Sequence, residues 1–230
     1  MLGIIVQLAL SWLIIWFAER GNLSVLGLGI NRSRINDFFI FFILTSIFCA
    51  SGFLMKSFFD GPKWQLNPAL SFNLVINGIW WNIKSVLFEE LIFRGVLLYI
   101  LIRKLGELKG ILISAVAFGI YHWFSFGLFG QVLAMAFTFI LTGAMGFVLA
   151  FGYAKTFSLY IPIGIHLGWN LTQIFIFSQG PIGNGIFIPK DAAPFRTDSY
   201  LVYFGVTFVP VLLALIGNYY LIKHRKLQWT

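Results

Sequence analysis

Long apolar runs separated by short polar breaks organise this chain, and each run is long enough to be a helix. The first, about Leu2 to Phe17, gives way to a polar stretch with Arg20, Arg32 and Arg34 and glycines at 21, 27 and 29, which argue against a continuing helix. The second, about Phe38 to Met55, closes in a turn built from Lys56, Asp60, Gly61, Pro62 and Lys63, and Asn67-Pro68 reads as the start of the next helix, where proline is tolerated. From about Ala69 to Ile102 the helical pattern outlasts the roughly 20 residues that one bilayer crossing needs. Either its first part lies along the interface, anchored by Trp80 and Trp81, or the helix is long and tilted. A charged loop with Arg103, Lys104, Glu107 and Lys109 follows, then spans at about Ile111 to Phe124, Leu128 to Tyr153, Leu159 to Phe177 and Tyr200 to Ile222. The expected fold is an all-α polytopic transmembrane bundle of about seven crossings, or eight if residues 69–83 form a separate element. It is expected to be a single integral membrane domain over residues 1–230. The loop from Gln179 to Ser199 holds Gly180, Pro181, Gly183, Gly185, Pro189 and Pro194, which predicts irregular structure.

Composition supports the membrane reading: 59% of the 230 residues are hydrophobic, 10% are charged, and mean hydropathy is +0.88. A net charge of +8 in a soluble chain would raise the question of nucleic acid. Here ten of the sixteen Lys and Arg residues fall in loops on one side if the loop after the first span is cytoplasmic, against four on the other. That excess predicts an outside N-terminus and a cytoplasmic C-terminus, with membrane lipids rather than nucleic acid as the surroundings. Residues 1 to 17 lack a basic leading region and are followed by Glu19-Arg20, which predicts a retained first helix. The single Cys49 excludes both a disulfide framework and a cysteine zinc site.

The informative residues are the polar ones inside the apolar runs. Of eight acids, Glu19, Asp37, Asp60, Glu107, Asp191 and Asp198 sit in loops or at span ends, while Glu89 and Glu90 do not. His122 and His166 also lie within spans, and ionisable groups at such positions mark function by default. Glu90 and Arg94 are spaced i,i+4 with the acid first, the favourable order for an ion pair on one face. Glu89, about 100° around the helix, faces elsewhere, with Phe93 as its own i+4 neighbour. Phe118 with His122, and His166 with Asn170, repeat the i,i+4 spacing on two further spans, and Gly119, Gly164 and Gly168 would let those helices approach closely. Counting helical rise from the nearest predicted cytoplasmic loop puts Glu89 and His122 roughly 20 Å deep and His166 roughly 15 Å deep. A common height favours one site over three unrelated interhelical contacts. Trp123 and Trp169, beside the histidines, read as packing residues.

A carboxylate and an imidazole around one water can deprotonate it for attack on a carbonyl, while a second imidazole and an amide donate to the oxyanion. Glu89, His122 and His166 equally make a zinc-type ligand set with an open position. The residue types leave both mechanisms open, and neither Cys49 nor any serine stands in a nucleophile pattern. A proton-coupled carrier could use the same buried acids, although no repeated halves are visible.

Glu89-Glu90-x-x-Phe93-Arg94-Gly95, then Phe118-x-x-x-His122, then His166-x-x-x-Asn170 resemble, in order, the motifs of the CPBP intramembrane proteases, the family of type II CAAX prenyl endopeptidases and of bacteriocin-processing and immunity proteins. The resemblance covers about residues 75–178. It implies a multi-pass membrane endopeptidase, expected in a prokaryotic plasma membrane, whose cavity admits a hydrophobic or lipidated peptide. The catalytic set it implies is Glu89 and His122 as water activators, His166 and Asn170 as the oxyanion-stabilising pair, and Glu90 and Arg94 as supporting or substrate-orienting groups. It implies no cofactor in the glutamate-type mechanism, and a divalent metal such as zinc on Glu89, His122 and His166 in the alternative. Some members of the family act as non-catalytic immunity or scaffold proteins.

Overall fold

A computed structural model describes residues 2–59, 61–190 and 195–226; Asp60, Asp191 and Pro194, assigned above to loops, lie outside them. Eight α-helices dominate the described residues: α1 Leu2–Glu19, α2 Arg32–Phe58, α3 Phe72–Phe93, α4 Val96–Leu105, α5 Glu107–Ser125, α6 Val132–Thr156, α7 Tyr160–Asn170 and α8 Tyr200–Lys223. Two three-residue strands, β1 Trp64–Leu66 and β2 Phe187–Pro189, complete the regular structure with a 3-10 turn at Leu23–Leu26 and a π-helix at Leu171–Ile176. Helices α1, α2, α5, α6 and α8 are long and apolar enough to cross a membrane. The chain is an all-α integral membrane protein. Two of the other helices, α3 and α7, are the ones that carry most of the polar candidates, and α7 has only 11 residues before the π-helix.

Loops predicted to share a side of the membrane touch one another. Glu19 pairs with Arg103 (3.7 Å), Asp37 with Arg225 (3.1 Å) and Glu107 with Lys155 (3.2 Å). The turn after α1 docks on the α6–α7 connection: Leu159 N–H donates to Leu26 O (3.1 Å), Tyr153 Oη to Val25 O (2.6 Å) and Ser158 Oγ to Gly27 O (3.2 Å). Gly27 is required there, because its φ of +60° favours glycine and a Cβ would collide with the Phe157 carbonyl. The loops predicted for the opposite side, after α2 and after α7, join through the antiparallel β1–β2 ribbon.

Three expectations are corrected. The helical run from 69 to 102 is two helices, and the separate element is its last part, α4, rather than residues 69–83. The break falls at Arg94-Gly95, where a Cβ on Gly95 would drive into the Leu91 carbonyl oxygen, so only glycine lets the chain turn this tightly. Arg94 N–H still donates to Glu90 O (2.8 Å), and Ser114 Oγ of α5 donates to Phe93 O (2.7 Å), so two carbonyls of the broken end stay occupied. Second, Asn67-Pro68 forms a turn in which Asn67 Oδ1 accepts from Ala69 N–H (2.9 Å), and Ser71 Oγ accepts from Leu74 N–H (3.3 Å) at the helix start itself. Third, the loop from 179 to 199 is not wholly irregular, since it contains β2. Gly95→Ala is expected to destabilise the fold by about 1–3 kcal/mol through overpacking, read as a lower midpoint of thermal unfolding in detergent.

The chain divides into two compact units: one of Met1–Phe38, Leu87–Ile163 and Tyr219–Thr230, the other of Phe39–Val86 and Gly164–Asn218. In the first, α4 packs on α1 and α5, and α5 on α6. Gly119 of α5 lies against the Phe139 ring, and Trp123 Nε1 donates to Met135 O (2.8 Å), a packing role as expected for this tryptophan. In the second, Gly168 of α7 lies against the Phe42 backbone and Ser46 Oγ donates to Gly168 O (3.2 Å). Asn218 Nδ2 donates to Thr45 Oγ1 (2.9 Å), an interhelical bond between α8 and α2.

Candidate active site

The first unit holds Glu89, Glu90, Arg94 and His122. Both members of the predicted ion pair are fully buried, with Arg94 Nε 2.8 Å from Glu90 Oε2. The guanidinium also lies over the Phe118 ring, 4.1 Å from its centroid, and beside Phe93 at 5.8 Å. One carboxylate and two ring faces therefore hold the cation in a site without water access, where cation–π attraction is strongest. Because Glu90 takes this role, Glu89 is the second carboxylate of the pair. It is buried, within electrostatic reach of Arg94 and of Tyr121 on α5.

Phe118 has a second task. Its carbonyl oxygen lies 2.8 Å from His122 Nδ1, so Nδ1 carries the proton, and in the neutral ring Nε2 is the acceptor. The ring is wedged edge-on among Phe118 (4.5 Å), Tyr121 (5.5 Å) and Phe126 (5.1 Å). A fixed tautomer in an apolar collar makes Nε2 a defined base or ligand atom.

The second unit holds His166 and Asn170. Asn170 Nδ2 lies 3.2 Å from His166 Nε2, the predicted i,i+4 contact. With the amide donating, His166 is the Nδ1–H tautomer. The amide nitrogen carries two hydrogens, one for the imidazole and one for a further acceptor. Trp169 Nε1 donates to Gln173 Oε1 (2.9 Å), one turn further along the chain. Directly after Asn170 the α-helix becomes π, with Phe177 N–H donating to Thr172 O (3.0 Å). Such π segments recur at functional sites.

Of the depth counts, only that for His122 runs along unbroken helix, α5, from Lys109. Glu89 is separated from Arg103 by the break at Gly95, and His166 is only six residues into α7, about 9 Å by helical rise. Sequence reading also missed Tyr121, the place of Phe118 beneath Arg94, and the π segment. Tyr121 adjoins His122 in the chain, the one cue available; the other two depend on contacts or backbone geometry with no local signature.

Comparison with known proteins bears on the segment that holds all six residues. Residues 71–172 match the model of the family described as type II CAAX prenyl endopeptidase Rce1-like. Over this segment, which is less than half of the chain, the protein is similar to the Rce1-like family. A Bacillus subtilis (strain 168) protein named "Putative membrane peptidase YdiL" is 35% identical over 103 residues, which are 45% of this chain and 37% of that relative. The chain thus spans little more than a third of the length of the curated relative that it matches. No solved structure matches. The Rce1-like segment begins just before α3 and ends in the π-helix, so α1, α2 and α8 lie outside it.

Proposed function

We propose that this protein is a membrane-embedded endopeptidase that hydrolyses a peptide bond in a hydrophobic substrate, of the prenylated, peptide-pheromone or bacteriocin type, with water activated by Glu89 and His122. The observation that carries the reading is the division of labour at the end of α3: Glu90 neutralises Arg94, and Glu89 stands beside that pair. Support comes from the Rce1-like match over the same residues.

In this mechanism Glu89 accepts a proton from water as the water oxygen bonds to the substrate carbonyl carbon, and the carbonyl π pair moves onto oxygen. His122 Nε2 accepts the second water hydrogen and orients the attack. His166 and Asn170 are assigned the donor role toward the oxyanion. When the C–N bond breaks, the nitrogen takes its electron pair and the proton held by Glu89, so the base acts as the acid in the second half. If a divalent metal is used instead, Glu89, His122 and His166 are the residue types that would hold it, and it would polarise the carbonyl and acidify water.

The test is hydrolysis of a hydrophobic peptide by the purified protein in liposomes in H2-18O, with metal analysis of the same sample. Expected are one 18O in the new carboxylate, no stoichiometric metal, and unchanged activity with a strong chelator. Loss of activity on chelation, restored by zinc, would replace the metal-free mechanism by the metal one. Glu89-dependent transport with no cleavage would overturn the endopeptidase reading.

A further inference from the structure

The β1–β2 ribbon plays no part in the reaction described above, yet its register leaves one edge open. Lys190 N–H donates to Lys63 O (2.7 Å) and Asn67 N–H to Ile186 O (2.9 Å), while Trp64, Gln65 and Leu66 face Pro189, Ile188 and Phe187. Residues 63, 65 and 67 therefore take the hydrogen-bonded positions, and the N–H and C=O of Trp64 and Leu66 turn away from β2. The outer edge of β2 is partly closed: Ser178 Oγ donates to Phe187 O (2.7 Å), and Pro189 has no N–H. On the β1 side, Pro62 and Pro68 occupy the next outward positions and also lack an N–H. What remains is a window of two residues offering two donors and two acceptors, short enough to avoid the indiscriminate pairing of a long bare edge.

We propose that this window takes an extended segment of the peptide substrate as a third strand, and so feeds it toward the helix that carries Asn170. The identity of the occupant rests on the endopeptidase reading. The ribbon is built onto that helix: Ile186 N–H donates to Phe175 O (2.9 Å), and Phe177 stacks on Phe53 (4.5 Å) and meets Trp64 edge-on (5.0 Å). Phe177 is seven residues beyond Asn170, about 10 Å by helical rise, which an extended chain covers in about three residues. Trp64 and Leu66 share one face of the strand, and the 60% exposed Leu66 side chain offers an apolar contact to every second residue of a partner. The ribbon lies in loops outside the predicted spans. A hydrophobic peptide passing from water toward lipid must keep its backbone groups paired, and strand addition does this without requiring a particular sequence.

The test uses the full-length Glu89→Gln protein in nanodiscs and a fluorescent octapeptide of alternating Val and Thr, unmodified or N-methylated at one position at a time. Expected is a two-residue periodicity: methylation at alternate positions of the bound stretch weakens binding about tenfold, the loss of one hydrogen bond, and methylation between them has little effect. Leu66→Pro, which removes an outward N–H and the Leu66 contact while leaving the β1–β2 hydrogen bonds in place, is expected to weaken binding by at least a similar factor without shifting the unfolding midpoint. No binding, a uniform effect of methylation, or unchanged affinity in Leu66→Pro would overturn the proposal, as would self-association through this edge in place of peptide binding. Periodic binding by a wild-type protein that cleaves nothing would instead remove the endopeptidase reading and leave the strand addition standing.

Discussion

Glu89→Gln is expected to lower kcat for peptide hydrolysis by about 10³-fold, the range general-base catalysis supplies, while leaving the protein folded and inserted. The amide matches the carboxylate in volume, so packing is kept and only the proton acceptor is lost. The contrast with its neighbour makes the experiment decisive. Glu90→Gln removes the counter-charge of a fully buried guanidinium and is expected to act first on stability. If Glu89→Gln retains activity in a single-turnover assay while Glu90→Gln loses it without unfolding, the two carboxylates have the reverse assignment.

The second large effect concerns Arg94. Arg94→Ala leaves the Glu90 carboxylate in a site with no water access, and breaking a buried pair in this way costs about 3–5 kcal/mol. It also removes the cation from the face of Phe118, whose carbonyl orients His122. A strongly lowered unfolding midpoint is therefore expected together with lost activity. The double substitution Glu90→Leu with Arg94→Met separates the two, because apolar groups of similar volume can replace a buried pair at little cost. It is expected to recover the unfolding midpoint but not turnover. Recovery of turnover as well would mean that the pair acts only as a clamp.

What the sequence revealed follows the range of the interactions involved. Helices α1, α2, α5, α6 and α8 were legible, with ends within four residues except the start of α2, six residues earlier than expected, because an apolar run long enough to span a bilayer has few other structures open to it. The Glu90–Arg94 and His166–Asn170 contacts were legible because each lies within one helical turn. Arg94 over Phe118 was not, since helical periodicity says nothing about which face of α3 meets which face of α5. The break at Gly95 was hidden among strong helix formers, where a lone glycine reads as tolerated. The ribbon escaped notice because each strand has three residues and its partner is more than a hundred positions away.

The π segment carries one consequence for how this chain can change. A π turn accommodates one residue more than an α turn, so residues 171–176 amount to a one-residue insertion absorbed inside a helix. The column that lines up His166 with Asn170 therefore stops there, and the residues after it are turned by about one position, which is how Phe175 comes to rest on Gly78 and Phe177 on the aromatic cluster of the ribbon. Removing a single residue here would restore an ordinary helix and leave the His166–Asn170 contact intact. Everything beyond would keep its rotational setting, so the deletion would separate the π geometry itself from the one-residue offset that it gives the strand platform.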